Sequence, residues 1–299
     1  MPVFKVSENP EKLFELMPGS HLEDPEVHIN ETKYITRIID INSLGFRDIE
    51  RNISKSKNVT RIIFIGSSNT FGGSVSSNDT FPNLMETALN KPDAKTYEVW
   101  NAGVHAYVLS QKVAYANEII EKYDPDIIIF EEFPRGRRAF LSRSDYYQFF
   151  KKNKELYFEN IPNFSPSISD SAHFDLLEKS KHYRIISIIR ANFALLQCNK
   201  DSECLRKLDQ KYFSKYGEYR NKIAMDEFLI NHKNIPIIVW DNLKNNYCEN
   251  APNHDNVYFI SLCFQNLSPE YYDAHPPSYV YKEYAQRIIK NLKELKLIK

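Results

Sequence analysis

The sequence predicts an α/β protein whose central parallel sheet is flanked by helices, and three observations predict it. Apolar runs such as RIIFI (Arg61–Ile65) do not alternate with polar residues, as expected of strands buried on both faces. Between the first runs lie stretches with apolar residues at helical spacing, such as Val113, Ala116, Ile119, Ile120 and Tyr123. The resulting order of strand, helix, strand, helix, strand is that of a parallel sheet with crossover helices.

Taken in order, the chain up to about residue 57 lacks sustained periodicity and contains Gly45 in a charged, turn-like setting. It reads as a lead-in wrapping the main domain, which then occupies residues 58–299. The first strand is Arg61–Ile65, and a helix is expected from about Asp79 to Asn90. The strand YEVWNAG ends at Gly103, and the next helix runs from Ser110, a plausible N-cap, to Tyr123. A third strand, DIIIFEEF, follows Pro125. Residues from about 134 to 232 form an insertion, first aromatic and basic without a clean period, then two helical stretches near 173–195 and 205–232. The strands IPIIVWD and NVYFISL resume the sheet. A final helix, from about Ser278 to Leu297, carries Tyr281, Tyr284, Ala285, Ile288, Ile289, Leu292 and Leu295 on one stripe.

The bulk numbers set bounds. A chain of 299 residues buries a core without covalent staples. Lysine plus arginine equals aspartate plus glutamate at 39 each, which argues against a nucleic-acid or anionic-membrane partner. Four cysteines (Cys198, Cys204, Cys248, Cys263) make neither a disulfide framework nor a zinc spacing, although Cys198 and Cys204 are close enough in sequence for one local bridge. No stretch is apolar enough for a signal peptide or a membrane span, which leaves a cytosolic protein or a trimmed exported one.

Chemistry points first to the segment Gly66-Ser67-Ser68-Asn69-Thr70-Phe71-Gly72-Gly73, which directly follows the first buried strand. Ligands of open α/β sheets bind beyond the carboxyl ends of the strands, so the loop is well placed. It lacks the Lys-Ser/Thr pair of a phosphate-binding P-loop and has no GxGxxG. A serine presented on a tight turn and a plain polar turn both remain open. The second point is His275, which has Asp273 two residues before it, Pro276 and Pro277 after it, and then a helix. An imidazole there has the right acidity to take a proton from a hydroxyl nucleophile. Glu131 and Glu132 suggest a glycosidase pair, but adjacent strand residues face opposite ways and cannot reach one sugar. Arg135, Arg137 and Arg138 fit an acidic substrate or a solvated loop, and Tyr and Phe residues in 146–157 fit a sugar-stacking wall or a core lid.

In these segments the chain resembles the bacterial GDSL/SGNH hydrolases. NSLGFRD is similar to that family's approach segment, and GSSNTFGG to its first block, GDSxTxG. NDTFPNLMETALN resembles the following helix, VWNAGVHAY the second block, PDIIIFEEF the strand before the third, and DAHPPSYVYKEYAQRI the last. The resemblance implies a three-layer flavodoxin-like SGNH hydrolase fold with Ser68 as nucleophile, His275 as general base and Asp273 as the acid. It further implies an oxyanion hole made by the N–H groups of Ser68 and Gly103; Asn101 and His105, which flank Gly103, fit a substrate-pocket lining or plain turn structure equally well.

Three departures stand out. Ser67 replaces the usual aspartate, and Arg135 and Gly136 stand where an Asn-Asp pair is usual, making Arg135 the candidate third oxyanion donor. Tyr272 replaces the usual acid, leaving either Asp273 in a spacing similar to that of SGNH-like sugar O-acetyltransferases or a Ser-His dyad whose imidazole a backbone carbonyl orients. The expected activity is hydrolysis of short acyl, chiefly acetyl, esters of carbohydrate without a cofactor. Two alternatives are a carbohydrate O-acetyltransferase using the same residues and a catalytically weak domain that binds a glycan or a protein.

Overall fold

The computed structural model describes residues 3–9, 14–30, 33–91, 96–105, 107–131, 224–241, 255–261 and 275–299, with the single positions 12 and 182. Five strands form one parallel sheet: β5 (Thr60–Gly66), β6 (Tyr97–Gly103), β7 (Ile127–Glu131), β8 (Ile237–Asp241) and β9 (Val257–Ser261). Their spatial order is β6-β5-β7-β8-β9, so the chain reverses its direction of winding at β5. That makes the carboxyl end of β5 the topological switch point, where open α/β sheets hold their ligands.

Side chains alternate across the pleat and divide the core in two. Ile63, Ile65, Trp100, Ala102, Ile128, Phe130, Ile237 and Val239 face one layer. There they meet α3 (Leu109–Tyr123) and the helical residues 224–231, through Val113, Ala116, Ile119, Phe228 and Leu229. Ile62, Phe64, Val99, Ile129, Ile238 and Trp240 face the other, against α2 (Phe81–Leu89) and α4 (Ser278–Glu294). Phe81 joins these parts, meeting Phe64 edge-on at 5.1 Å and stacking on Tyr281 at 5.8 Å. The result is a three-layer α/β fold. The expected apolar stripe of the last helix is buried at Tyr281, Tyr284, Ala285, Ile288 and Leu292, whereas Leu295 lies past the helix end and is exposed.

Two expectations are corrected. The helix α3 begins at Leu109 rather than after a Ser110 cap, and Val108 flanks it. Valine has no side-chain acceptor, so the end is closed from inside: the Val108 N–H donates to Gln111 Oε1 at 3.1 Å. The lead-in is also more regular than its sequence suggests. It forms two antiparallel pairs, β1 (Phe4–Val6) with β2 (Phe14–Leu16), and β3 (His21–Asn30) with β4 (Lys33–Asp40). Register shifts at Asp24/Val27 and His28/Asn30 break the two-residue period that would have revealed the longer pair. Phe14, Leu16, Ile39, Ile41 and Phe46 from the lead-in enter the same apolar cluster as the sheet. The second insertion helix is met in its described part, 224–231; the first, near 173–195, and all four cysteines fall outside the described residues.

Candidate active site

Strand β5 ends at Gly66, paired in register with Gly103 of β6, and the chain then turns at once into α1 (Ser68–Phe71). The turn is packed hard against both neighbouring strands. A β-carbon on Gly66 would overlap Thr70 and the Glu131 carboxylate, and one on Gly103 would overlap the backbone of Thr70 and Phe71. These two glycines let the turn sit directly on the strand ends. Gly72 closes α1 in the left-handed conformation (φ 87°), and the N–H groups of Gly72 and Gly73 both donate to Ser68 O, at 3.0 and 2.9 Å. Ser68 thus lies at the tip of a short, doubly tied loop.

Two buried charges hold this loop. Arg47, from the FRD segment of the lead-in, is fully buried beneath it. Its guanidinium donates to Phe71 O and Gly72 O at 2.6 Å each, to Val75 O at 2.5 Å and to Ile38 O at 3.3 Å. It also lies over the Phe71 ring, 4.5 Å from its centre. Burial, and then the charge of Arg37, lower its pKa to about 9, which leaves it a cation at neutral pH. The second charge is Glu131, the last residue of β7, wholly buried. It accepts from Ser67 N–H (2.7 Å), Ser67 Oγ (2.7 Å), Thr70 N–H (2.9 Å), Thr70 Oγ1 (2.7 Å) and Asn69 Nδ2 (3.2 Å). Burial by itself would raise the Glu131 pKa; the nearby Lys112 charge and the bonds from Ser67 and Thr70 overcome that and hold it below the ordinary carboxylate value. Lys112 itself is buried and donates to Glu131 O at 2.8 Å.

The imidazole of His275 arrives from just before α4. A β-carbon on Gly73 would lie 2.9 Å from His275 Cδ2 and 3.1 Å from Nε2, so the ring occupies the space that any side chain at position 73 would fill. The loop carrying it is tied to the same turn, because Ser74 Oγ donates to Pro276 O. His105 completes the group, its ring 5.8 Å from that of His275 and 6.3 Å from that of Phe71. The structure therefore brings the Ser68 turn, His275 and His105 together.

It places the other candidates differently. The Gly103 N–H, expected to face an oxyanion, donates instead to Asn101 Oδ1 at 3.0 Å. Asn101, a candidate for the substrate-pocket lining, is fully buried, and its own N–H donates to Asp48 Oδ2 at 3.1 Å. Both serve to brace the end of β6. Asp273 and Arg135 lie outside the described residues, as does Glu132.

Sequence reasoning missed the parts played by Arg47, Lys112 and Glu131. A charged residue closing an apolar strand was a signal for Glu131, but only the fold shows that it faces the Ser67–Thr70 turn. Among the described residues, no group of three or more His, Cys, Asp or Glu could hold a metal ion. No helix among them is long and apolar enough to cross a membrane.

No family model matches the sequence, and no curated protein matches it. Among solved structures, the chain is similar to a family two carbohydrate esterase from Clostridium thermocellum, in complex with cellohexaose, with 14% identity and a TM-score of 0.38. That match covers 81% of this chain and 66% of the esterase, so the chain spans just under two thirds of that protein's length. It is similar to the acetyl xylan esterase Est2A from the rumen bacterium Butyrivibrio proteoclasticus, with 13% identity, a TM-score of 0.37 and coverage of 88% of this chain and 67% of the other. A proposed lipolytic protein of the G-D-S-L family from Desulfitobacterium hafniense DCB-2 gives 14% identity and a TM-score of 0.32, over 77% of this chain and 98% of that one. At this distance the activities of these proteins stay with them.

Proposed function

We propose that this chain is a serine esterase of the SGNH type, removing short acyl groups, chiefly acetyl, from carbohydrate. The observation that carries the reading is the seating of the His275 ring against Gly73, beside the turn that presents Ser68. A hydroxyl on a tied turn and an imidazole packed on that turn are the two parts that acyl transfer needs.

In this mechanism His275 takes the Ser68 proton as Oγ attacks the ester carbonyl. The Ser68 N–H receives the developing oxyanion, with Arg135 as a further charged donor. The tetrahedral intermediate collapses when His275 returns the proton to the departing sugar hydroxyl. Water, activated by the same imidazole, then releases the acyl group from Ser68. Asp273 orients the imidazole and stabilises its charged form. His105, whose ring lies 6.3 Å from that of Phe71, lines the substrate pocket in this reading. A sugar hydroxyl in place of that water makes the same residues an O-acetyltransferase, and the Asp273-x-His275 spacing favours keeping this second reading.

The test is covalent labelling with a fluorophosphonate, together with turnover of p-nitrophenyl acetate, in the parent, Ser68→Ala and His275→Ala. Labelling confined to Ser68, lost in both variants along with a fall in kcat on the order of 10⁶-fold, is the expected result. A folded parent that takes no label overturns the esterase reading and leaves a binding domain. Adding a sugar acceptor and finding acetylated sugar in excess of free acetate selects the transferase.

A further inference from the structure

The turn that presents Ser68 lacks a cap of its own. Ser67 is the N-cap residue of α1, yet its side chain makes no capping hydrogen bond. An N-cap side chain ordinarily accepts from the N–H two or three positions into the helix, here that of Thr70. That N–H is instead received by Glu131 Oε2, at 2.9 Å, from another strand. The same oxygen accepts from Thr70 Oγ1, and the other from Ser67 Oγ, so the cap residue donates to the carboxylate that does its work.

We infer that Glu131 is the positioning residue of the nucleophile turn: a cap supplied from β7 that fixes where Ser68 points, and whose task an aspartate at position 67 can take over. The inference rests on the proposed role of Ser68. Glu131 touches no reacting atom in it and acts through Ser67 and Thr70. The exchange is chemically balanced. With Ser67→Asp, the new carboxylate lies within one turn of the Thr70 N–H and Oγ1. With Glu131→Gln, the amide N–H donates to that carboxylate, reversing the present Ser67-to-Glu131 bond. Ser67→Asp alone sets two carboxylates against each other in a buried site and costs both fold and function.

The test compares the parent, Glu131→Gln, Ser67→Asp and the double variant by thermal melting, by the rate of fluorophosphonate labelling and by kcat and KM on p-nitrophenyl acetate. The expected result is that Glu131→Gln labels and turns over on the order of 10²-fold more slowly, as for a misplaced reacting group. Its KM stays nearly unchanged, because the loss falls on the transition state. The double variant recovers about tenfold or more of the labelling rate and part of the melting temperature. Glu131→Gln labelling at the parent rate overturns the inference, as does a double variant no better than Glu131→Gln. If Glu131→Gln does not fold, recovery of folding and labelling in the double variant supports the inference, and failure to recover overturns it. A parent that takes no label fails the esterase reading instead. Melting temperatures then decide the cap alone, supported by rescue in the double variant and overturned by its absence.

Discussion

Gly73 and His275 are packed too closely for a side chain between them: a β-carbon at position 73 would stand 2.9 Å from His275 Cδ2. Gly73 is not in a left-handed conformation, so a side chain there is barred by the ring and not by the backbone. Gly73→Ala is therefore expected to fold normally and to push the imidazole from the Ser68 turn. The expected loss in kcat is on the order of 10²-fold. Parallel measurement of p-nitrophenyl acetate turnover and melting temperature checks it; unchanged turnover would dissociate His275 from the chemistry.

Arg47 is a matter of stability before it is one of activity. Replacing it with methionine keeps much of its bulk but strips donors from the carbonyls of Phe71, Gly72 and Val75, all inside the protein. A loss of roughly 3 kcal/mol is expected from leaving such groups unpaired. Lysine is expected to rescue little, because one ammonium cannot match the fork of a guanidinium. Urea unfolding of the parent, Arg47→Met and Arg47→Lys measures both effects.

Glu131 predicts a pH signature. Its folded pKa is lowered from 4.5, so the unfolded chain binds its proton first as pH falls. The stability it contributes is thus complete above about pH 4.5 and is lost as pH drops through the lower folded value. The gap in urea midpoint between the parent and Glu131→Gln is expected to be constant near neutrality and to shrink at acid pH. A gap that widens on acidification reverses the assigned direction.

The hairpin of β3 and β4 docks through hydroxyls. Ser76 Oγ accepts the Ile38 N–H at 3.2 Å, and Ser77 Oγ accepts the Asp40 N–H at 3.1 Å. Ser77→Ala is expected to cost about 1 kcal/mol locally, hastening amide exchange over residues 38–40 about fivefold. Exchange in β5 to β7 should stay as it was, which distinguishes loosening of the hairpin from global destabilisation.

The sheet and its helices could be read from the sequence because burial on both faces leaves an unmistakable trace. Arg61–Ile65 carries four apolar residues in succession, and YEVWNAG is reproduced as β6 residue for residue. The lead-in hairpin could not, because its bulges break alternation, and Ser110 misled because a serine outranks the valine that really precedes the helix. Ser68 and His275 were visible as members of distinctive local patterns. Glu131 and Arg47 were not, since each acts on residues far along the chain and their meaning lies in which strand ends meet. Gly103 shows the opposite failure: its place in a motif suggested an open donor, and a neighbouring amide already takes that N–H.

The order of parts along the chain has a consequence for biosynthesis. Arg47, Gly103 and Glu131, which brace the Ser68 turn, lie in the first 131 residues, whereas His275 and Pro276, which pack on it and tie it, follow much later. On a ribosome these early strands can pair and close the turn while the rest is still being made. On the roles proposed for the two residues, such a nascent chain carries the serine before its base. On that reading the site is complete only once the closing helix brings His275 onto the turn.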